Sequence, residues 1–520
     1  MSHTSLDIRP AHGLWYLLLT FLLQSLPLQA QPQLSTLSEI QLGNLPDSTP
    51  TNLRTLYHQF NFGYMHDDVR IGLRAEAFGS SASGRSYGEV LQRFASYRRG
   101  ALQATLGHFY TIVGSGLLAH AFELPGVITE ERSTRRRYQL VNDLDGIHVR
   151  YSQPWGNLQL LRGTPVNSDL PPGLQDTARR QGTIQGGTLM LRPRSYLDTE
   201  LGLLHYDVGG QREVGASLSA RLRLTTLLAS LGLTDVVADA FGEYAQREPS
   251  ASRFLSLDRD LSRALYLSTT VTAGAWGFSL EFKDYRDFAL IQINNPPPLI
   301  REHAAHLLNR ITHDVLADDE RGIQGEVSYT SSGGYVLTAN LTHAVRQLAP
   351  GRADDRSLRE LFLQLNAPVG PSFEVQLFVD FNRNQILDDQ RHRVVGSLWT
   401  WAASPHYTLE LDAQFQDVDR RFGQTKYPYT NFYVQLAFQR ASGLSAALQL
   451  ERSTDILATG ADPSGTTWWH GLHLDADLGS AHQLSLFAGQ RRAGLACTSG
   501  TCYEILGFEG VELRLYNRFF

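Results

Sequence analysis

The C-terminal stretch Val511–Phe520 constrains the fold most, because its side chains alternate in character from one residue to the next. In an extended strand, alternate side chains point to opposite faces, so this stretch has one apolar face and one charged face. Chain ends usually fray in water, whereas a closed transmembrane barrel must pair its last strand with its first. We therefore predict a closing barrel strand with Val511, Leu513, Leu515 and Phe519 toward lipid and Glu512, Arg514 and Arg518 toward the lumen; Phe520 falls in the charged register.

Segments with the same alternation recur along the chain, for example from Leu56, Leu218, Trp276, Val434 and Leu472. They are about 9 to 12 residues long, which suits a tilted strand that crosses a bilayer, whereas soluble strands are usually about 5 to 6 residues long. We predict an all-β fold, a single antiparallel transmembrane β-barrel of about 22 strands, within a range of roughly 18 to 24. The alternative is a secreted all-β protein, such as a propeller or a β-sandwich array. A propeller would repeat at a fixed period with a signature in each blade, and the sequence has no such period.

The N-terminal residues 1–30 have the organisation of a secretory signal peptide. Arg9 precedes the apolar run Leu14–Leu23, and Ala30 offers a small residue for cleavage. The apolar run is shorter than the ~20 residues that a membrane-spanning helix needs. Residues 31–52 are polar and are expected to form a periplasmic leader. The barrel is expected over residues 53–520, with inserted loops near 111–140 and 287–318.

The net charge of −6 excludes a strongly basic nucleic-acid-binding protein. The chain has two cysteines, Cys497 and Cys502, separated by four residues that include Gly500. An exported protein can form disulfides, and such a spacing brings two sulfurs within reach across a tight loop. Metal-binding cysteines usually come as two paired halves, and a second pair is missing from the sequence. We predict a disulfide that staples a hairpin loop, with two free thiols as the alternative.

An interruption of the alternation begins at Gly107 and continues to an arginine cluster. Gly114-Ser-Gly116 predicts a sharp backbone bend, and the downstream Gly-Lys-Ser/Thr of a phosphate-binding loop is missing. Such a segment fits a loop folded into the lumen, with arginines that line a constriction or attract anions. A solvated external loop is the alternative. The candidate constriction residues are Arg132, Arg135, Arg136 and Arg137.

Two further stretches carry groups that resemble metal ligands. A proline-rich insertion contains His303 and His306, which would share a face of a helix and, with Glu302 and His313, could hold a metal. Because the spacing is not a known ligand motif, a packed loop is the expected structure. The second stretch has oxygen-bearing residues spaced as in a calcium loop, but it lacks the glycine and the closing glutamate, so a polar hairpin turn is expected. Those residues are Asp380, Asn382, Asn384 and Asp388.

Several short motifs together resemble a family of uncharacterised Gram-negative outer-membrane, porin-like β-barrel proteins. The motifs are Gly107-His-Phe-Tyr, Glu281-Phe-Lys-Asp-Tyr, Asn295-Pro-Pro-Pro, Arg301-Glu-His, Leu307-Leu-Asn-Arg, and Cys497 and Cys502 followed by the terminal strand. The resemblance implies an outer-membrane barrel whose terminal aromatic residues, Phe519 and Phe520, are read by the barrel-assembly machinery. It implies no substrate and no catalytic residue.

The function expected from these patterns is a passive channel or porin-like transporter for small solutes. A non-catalytic barrel that displays surface loops for binding or adhesion is the alternative. Enzymatic activity is not expected, since the sequence has neither the GxSxG of a serine hydrolase nor the HExxH of a metalloprotease. We expect no cofactor, no metal and no catalytic residue. The expected partners are outer-membrane lipid, the barrel-assembly machinery and small solutes, and not nucleic acid.

Overall fold

The computed structural model describes residues 31–167, 171–174, 179–248, 261–290, 293–298, 301–312, 319–346, 356–386, 389–456, 467–498 and 501–519. The predicted signal peptide lies outside the described residues, as do His313, Asp388 and Phe520. Within the described ranges, no helix is both long enough and apolar enough to cross a membrane.

The described part of the chain is almost entirely β-structure. The first strands are β1 (Gln31–Asn44), β2 (Arg54–His66), β3 (Val69–Ser80), β4 (Tyr87–Arg99), β5 (Leu102–Phe109), β6 (Thr111–Val113), β7 (Ala119–Glu130), β8 (Arg137–Asn142), β9 (Leu144–Gln153), β10 (Gly156–Pro165), β11 (Gly182–Arg194), β12 (Leu197–Val208), β13 (Gln211–Leu222), β14 (Val236–Glu248) and β15 (Ser262–Ala273). The others are β16 (Trp276–Arg286), β17 (Glu320–Thr330), β18 (Val336–Arg346), β19 (Arg356–Pro368), β20 (Phe373–Asn384), β21 (Asp389–Ser404), β22 (Tyr407–Phe422), β23 (Thr425–Arg440), β24 (Leu444–Ser453), β25 (Thr467–Leu478), β26 (His482–Arg491), β27 (Gly494–Thr498), β28 (Thr501–Ile505) and β29 (Phe508–Arg518). Two short helices in the described residues are α1 (Leu224–Ser230) and α2 (His306–Asn309).

Twenty-four of the described strands form one antiparallel sheet that closes on itself. Each barrel strand pairs with the next along the chain, except that β5 pairs with β9 and β26 pairs with β29. The last strand pairs with the first, with Arg514 opposite Glu39 and Val511 opposite Leu42. The predicted all-β barrel, closed by its C-terminal strand, is therefore confirmed, with 24 strands where about 22 were expected.

The expected leader over residues 31–52 is wrong for most of its length, because Gln31–Asn44 is the first barrel strand. This strand pairs with β2 on one side and with β29 on the other. The sequence analysis missed this strand because its composition is polar. Glu39 and Gln41 are buried on the lumen side, whereas Ile40 and Leu42 are 41% and 49% exposed on the outside. A barrel strand needs apolar residues on one face only, so a polar-looking sequence satisfies it.

The outer surface of the barrel carries a belt of exposed apolar side chains. On β29, Val511 is 40% exposed, whereas Glu512 accepts a hydrogen bond from Gln41 and Arg514 pairs with the buried Glu39. The predicted faces of the terminal strand are thus confirmed for these positions. Because residues two apart share a face, Leu513 and Leu515 lie on the outer side. Aromatic residues on this surface include Trp276, Trp399, Trp401 and Trp468.

Candidate functional site

Three insertions interrupt the barrel wall, and their described residues fold toward its polar inner face. The first insertion (110–143) lies between β5 and β9, the second (287–319) between β16 and β17, and the third (492–507) between β26 and β29. We call them together the lumen plug. The first contains β6–β8, the second α2, and the third the hairpin β27–β28. The sequence indicated the first two as loops, but it indicated the third only as a tight hairpin.

The three insertions contact one another. The His120 amide donates to the Ile293 carbonyl oxygen at 2.8 Å, which joins the first insertion to the second. The Cys497 amide donates to Asn309 Oδ1 at 3.0 Å, which joins the third insertion to the second. Arg132 pairs with Glu504 at 2.8 Å, which joins the first to the third. The plug is therefore one connected body rather than three independent loops.

An apolar cluster packs the first and second insertions against the wall. Leu117 and Leu118 of the first insertion are fully buried, together with Phe288 of the second and Leu204 of β12. The Tyr206 hydroxyl of β12 donates to the Leu118 carbonyl oxygen at 2.8 Å. Burial of large apolar side chains contributes about 1.5–3 kcal/mol each, so this cluster favours a plug that stays docked.

The bend at Gly114-Ser-Gly116 binds carboxylates of the wall. The Ser115 amide and hydroxyl donate to the Glu243 carboxylate at 2.5 and 2.6 Å, and the Gly114 amide donates to Glu200 at 3.1 Å. Gly114 has a φ of 64°, and a Cβ there would lie 1.9 Å from a Glu243 oxygen. The predicted bend is confirmed, and it is an internal docking loop for two acidic side chains.

The arginine cluster lies inside the barrel, and three of its four members are buried. Arg137 is 1% exposed and bonds to Glu39 and Thr55 of the wall. Arg135 contacts Glu130 and Asn44, both at 2.5 Å, and Arg136 donates to backbone carbonyl oxygens. Arg132 alone of the four is exposed, in its pair with Glu504. The alternative of a solvated loop is therefore wrong for Arg135–Arg137, because all three side chains are buried. Arg135 and Arg137 meet β1, β2 and the plug, whereas Arg136 meets carbonyl oxygens of loops that join barrel strands. A role in a constriction stays a prediction.

The turn that precedes this cluster is built around Glu131. Although its partial burial acts in the opposite direction, hydrogen bonds from Thr134 and Ser133 lower the pKa of Glu131 to about 2. Arg135 follows at the end of the turn with a left-handed φ of 59°. The turn thereby fixes the backbone from which Arg135 and Arg137 reach the wall.

The two histidines of the second insertion meet different strands of the wall. His303 Nε2 lies 3.1 Å from Glu360 Oε1 on β19, and His306 Nε2 lies 3.3 Å from Glu451 Oε2 on β24. The idea that both share a metal with Glu302 and His313 is not supported for His303 and His306, because they point to separate carboxylates. The expected packed loop with bonded histidines is confirmed for these two residues.

Glu451 is an anchor that the sequence analysis missed. It is fully buried and accepts from Arg310 at 2.5 Å and from Arg492 at 2.9 Å, in addition to its contact with His306. One wall carboxylate thus holds both the second and the third insertion. Burial lowers the pKa of His306 and of Arg310, although Glu451 opposes both shifts. In the sequence, Glu451 stands out only as a charge on the inner register of a barrel strand.

The predicted polar hairpin turn is wrong for the first three residues of the calcium-like stretch. Asp380, Asn382 and Asn384 are alternate residues at the end of β20, and all three are buried on the inner face. Extended backbone spaces these oxygens along the strand and does not curl them around one ion. Asp388 lies outside the described residues.

The third insertion carries the predicted disulfide. Cys497 and Cys502 are bonded and stand opposite each other in the β27–β28 hairpin. Cys497 is 5% exposed, so this hairpin is packed into the barrel. The predicted hairpin staple is therefore confirmed. Of the two assembly-signal residues, Phe519 is 50% exposed at the barrel edge.

These features define a closed β-barrel with an apolar outer surface and a lumen plug held by buried ion pairs. Residues 47–346, more than half of the chain, match the family described as "Family of unknown function (DUF6029)", and the chain belongs to that family. No curated protein matches the sequence.

Several solved structures show a distant similarity to this chain. OccK5 (OpdH) of Pseudomonas aeruginosa is 12% identical with a TM-score of 0.38, over 71% of this chain and 98% of that one. OpdK of the same organism, solved with vanillate, is 15% identical with a TM-score of 0.38, over 75% and 98%. OccAB2 of Acinetobacter baumannii is 11% identical with a TM-score of 0.37, over 76% and 98%. At such scores the similarity by itself assigns no function.

Proposed function

We propose that the protein is an integral outer-membrane β-barrel of a Gram-negative cell that passes small polar solutes beside its lumen plug. A membrane location is supported by the apolar outer belt and the polar inner face, since a soluble protein rarely exposes so continuous an apolar surface. The protein is proposed to act without catalysis, as a passive channel.

The observation that carries the proposal is a pair of cavities, each lined in part by charged residues, on either side of the third insertion. One cavity, of about 360 Å³, is lined by Arg310, Arg420, Asp455 and Arg492, together with residues 493–495 of the third insertion. The other, of about 310 Å³, is lined by charged residues of β1 and β29 and by residues 503–506. Pockets that bind small molecules begin at about 300 Å³, so both cavities suit small polar solutes.

Flux measurements test this proposal. The purified barrel, reconstituted into planar bilayers, is expected to show discrete conductance steps, and liposomes that contain it are expected to swell in small sugars faster than in large ones. Protein-free liposomes and liposomes with the heat-unfolded chain are the controls. A folded barrel that gives neither conductance nor solute flux would contradict the proposal.

The alternative function, a scaffold of surface loops for binding, receives less support. It depended on the proline-rich insertion and the disulfide hairpin as displayed loops, but the Tyr285 hydroxyl holds the Pro297 carbonyl oxygen at 3.2 Å and Cys497 is buried. Capture from intact envelopes separates the two proposals, because a channel should recover only assembly factors.

We further propose that Phe519 and Phe520 are the signal for barrel assembly. Deletion of both is expected to lower the amount of heat-modifiable, folded barrel in the outer membrane, whereas Phe520→Tyr should retain it. Equal assembly of the deletion variant would contradict this role.

A further inference from the structure

Beneath the second insertion, one histidine and two carboxylates from three separate segments converge inside the barrel. His303, Glu360 of β19 and Asp380 of β20 each offer one ligand atom, and these atoms all lie within 4.8 Å of one another. All three residues are buried, with Asp380 fully so. The sequence placed His303 and Asp380 in two different candidate metal sites, and the fold brings them into one cluster.

The sheet register fixes the two carboxylates. Glu360 stands opposite Asn382, and Asp380 stands opposite Phe362 in the β19–β20 pair. Glu360 and Asp380 are therefore diagonal neighbours on the inner face. The His303 ring lies against the Phe362 ring, with centroids 4.5 Å apart, which holds the imidazole over the carboxylates.

Several polar atoms of these three residues, and of Asn382 opposite Glu360, have no hydrogen-bond partner among the described residues. They are His303 Nδ1, Glu360 Oε2, both carboxylate oxygens of Asp380, and Asn382 Oδ1. Buried polar groups are ordinarily satisfied, and two buried carboxylates this close repel each other unless a proton or a cation lies between them. The cluster therefore has unused ligand capacity together with an excess of negative charge.

A second histidine–carboxylate contact on the same insertion provides the contrast. His306 meets Glu451 at 3.3 Å, but Arg310 and Arg492 also bond to that carboxylate. Two guanidinium groups already neutralise Glu451, and they would repel a metal ion. Both clusters thus combine histidine with carboxylate. The cluster at Glu451 also contains two arginines, whereas the cluster at His303 has two carboxylates.

We propose that His303, Glu360 and Asp380 bind a divalent first-row transition metal that fastens the second insertion to the barrel wall. An imidazole nitrogen with two carboxylates is a ligand set for Zn²⁺ or Mn²⁺, whereas Ca²⁺ and Mg²⁺ take oxygen ligands. Tetrahedral ligands about 2.1 Å from Zn²⁺ lie about 3.4 Å apart, and His303 Nε2 and Glu360 Oε1 are 3.1 Å apart.

This site goes beyond transport, because a metal here links the plug to β19 and β20 whether or not solute passes. Its bond to His303 would hold the second insertion at the wall, close to the start of α2. The site is distinct from the two cavities beside the third insertion, since neither is lined by His303, Glu360 or Asp380.

Metal binding to the purified, detergent-solubilised full barrel tests the proposal. After treatment with a chelator, the wild type is titrated with Zn²⁺ and, separately, with Mn²⁺ and Ca²⁺. We expect one Zn²⁺ or Mn²⁺ per barrel and much weaker binding of Ca²⁺. Asp380→Asn and His303→Ala should each weaken binding by at least about 100-fold, since loss even of groups that only support a ligand costs 10–100-fold.

His306→Ala is the matched control, because it removes a histidine of the same insertion and should leave the metal affinity unchanged. Heat-modifiable migration shows that each variant has folded, and X-ray absorption of the zinc-loaded wild type gives an independent result if a variant does not fold. One imidazole with oxygen ligands is expected. Absence of saturable Zn²⁺ or Mn²⁺ binding by the folded wild type would overturn the proposal and leave a proton shared by the two carboxyl groups. Equal losses in His303→Ala and His306→Ala, or a zinc shell of several histidines, would also overturn it.

Discussion

Replacement of Arg137 by methionine tests whether buried ion pairs hold the plug in the lumen. Arg137 is 1% exposed and Glu39 is 3% exposed, and they form a salt bridge between the first insertion and β1. Methionine fills much of the same volume without charge. Removal of one partner of a buried pair costs about 3–5 kcal/mol. Because Glu39 keeps Arg514 at 2.7 Å, we expect the lower end, about 3 kcal/mol.

A loss of about 3 kcal/mol changes the ratio of displaced to docked plug by about 150-fold, since about 1.4 kcal/mol corresponds to a factor of ten. Amide hydrogen exchange of residues 131–142 in the detergent-solubilised barrel measures this ratio directly when opening is local. We expect exchange in this segment to be faster by about that factor in Arg137→Met, whereas amides of the barrel strands far from the plug remain protected.

Arg132→Gln is the matched control in the same cluster. Its ion pair with Glu504 is exposed, and such pairs contribute about 0–1 kcal/mol, so exchange should rise by no more than about fivefold. If Arg137→Met and Arg132→Gln exchange equally in a folded barrel, buried ion pairs do not hold the plug, and the reasoning is refuted.

Three further perturbations address the plug. Gly114→Ala places a Cβ against the Glu243 carboxylate and should destabilise the docked bend by about 1–3 kcal/mol, as measured by hydrogen exchange. Gly126→Ala is the control, because Gly126 has a similar φ but open space around its Cα. Equal destabilisation by the two substitutions would show that the contact with Glu243 is not the cause. Burial lowers the pKa of His306 below its ordinary value of 6.5, so the stability that this residue contributes is present above pH 6.5 and is lost as the pH falls below it. The denaturant concentration at the unfolding midpoint should therefore fall between pH 7 and pH 5 in the wild type, and it should fall by a smaller amount in His306→Gln. Cys497→Ser removes the disulfide of the hairpin between the two cavities and should raise the conductance of the barrel in bilayers. A reducing agent should raise the conductance of the wild type and leave that of the variant unchanged. Equal currents before and after loss of the disulfide would show that the hairpin does not restrict the passage of ions.

The sequence by itself determined the wall of the barrel. Alternation of apolar and polar residues is a local property, because residues two apart share a face of a strand whatever the rest of the chain does. It therefore predicted the closing strand and its faces, and the spacing of Cys497 and Cys502 predicted their disulfide. The same reasoning missed Gln31–Asn44, whose inner residues are polar and whose role as first strand depends on its pairing with β29, far away in the chain.

Only the tertiary structure decided which wall residue each insertion meets. Arg137 and Glu39 are separated by 98 residues, and His306 and Glu451 by 145. Which carboxylate faces a given loop depends on strand number, register and closure, and these are set by the whole sheet and not by any local segment. For the same reason, the sequence could assign His303 and Asp380 to two separate ligand groups, whereas closure of the barrel places them together.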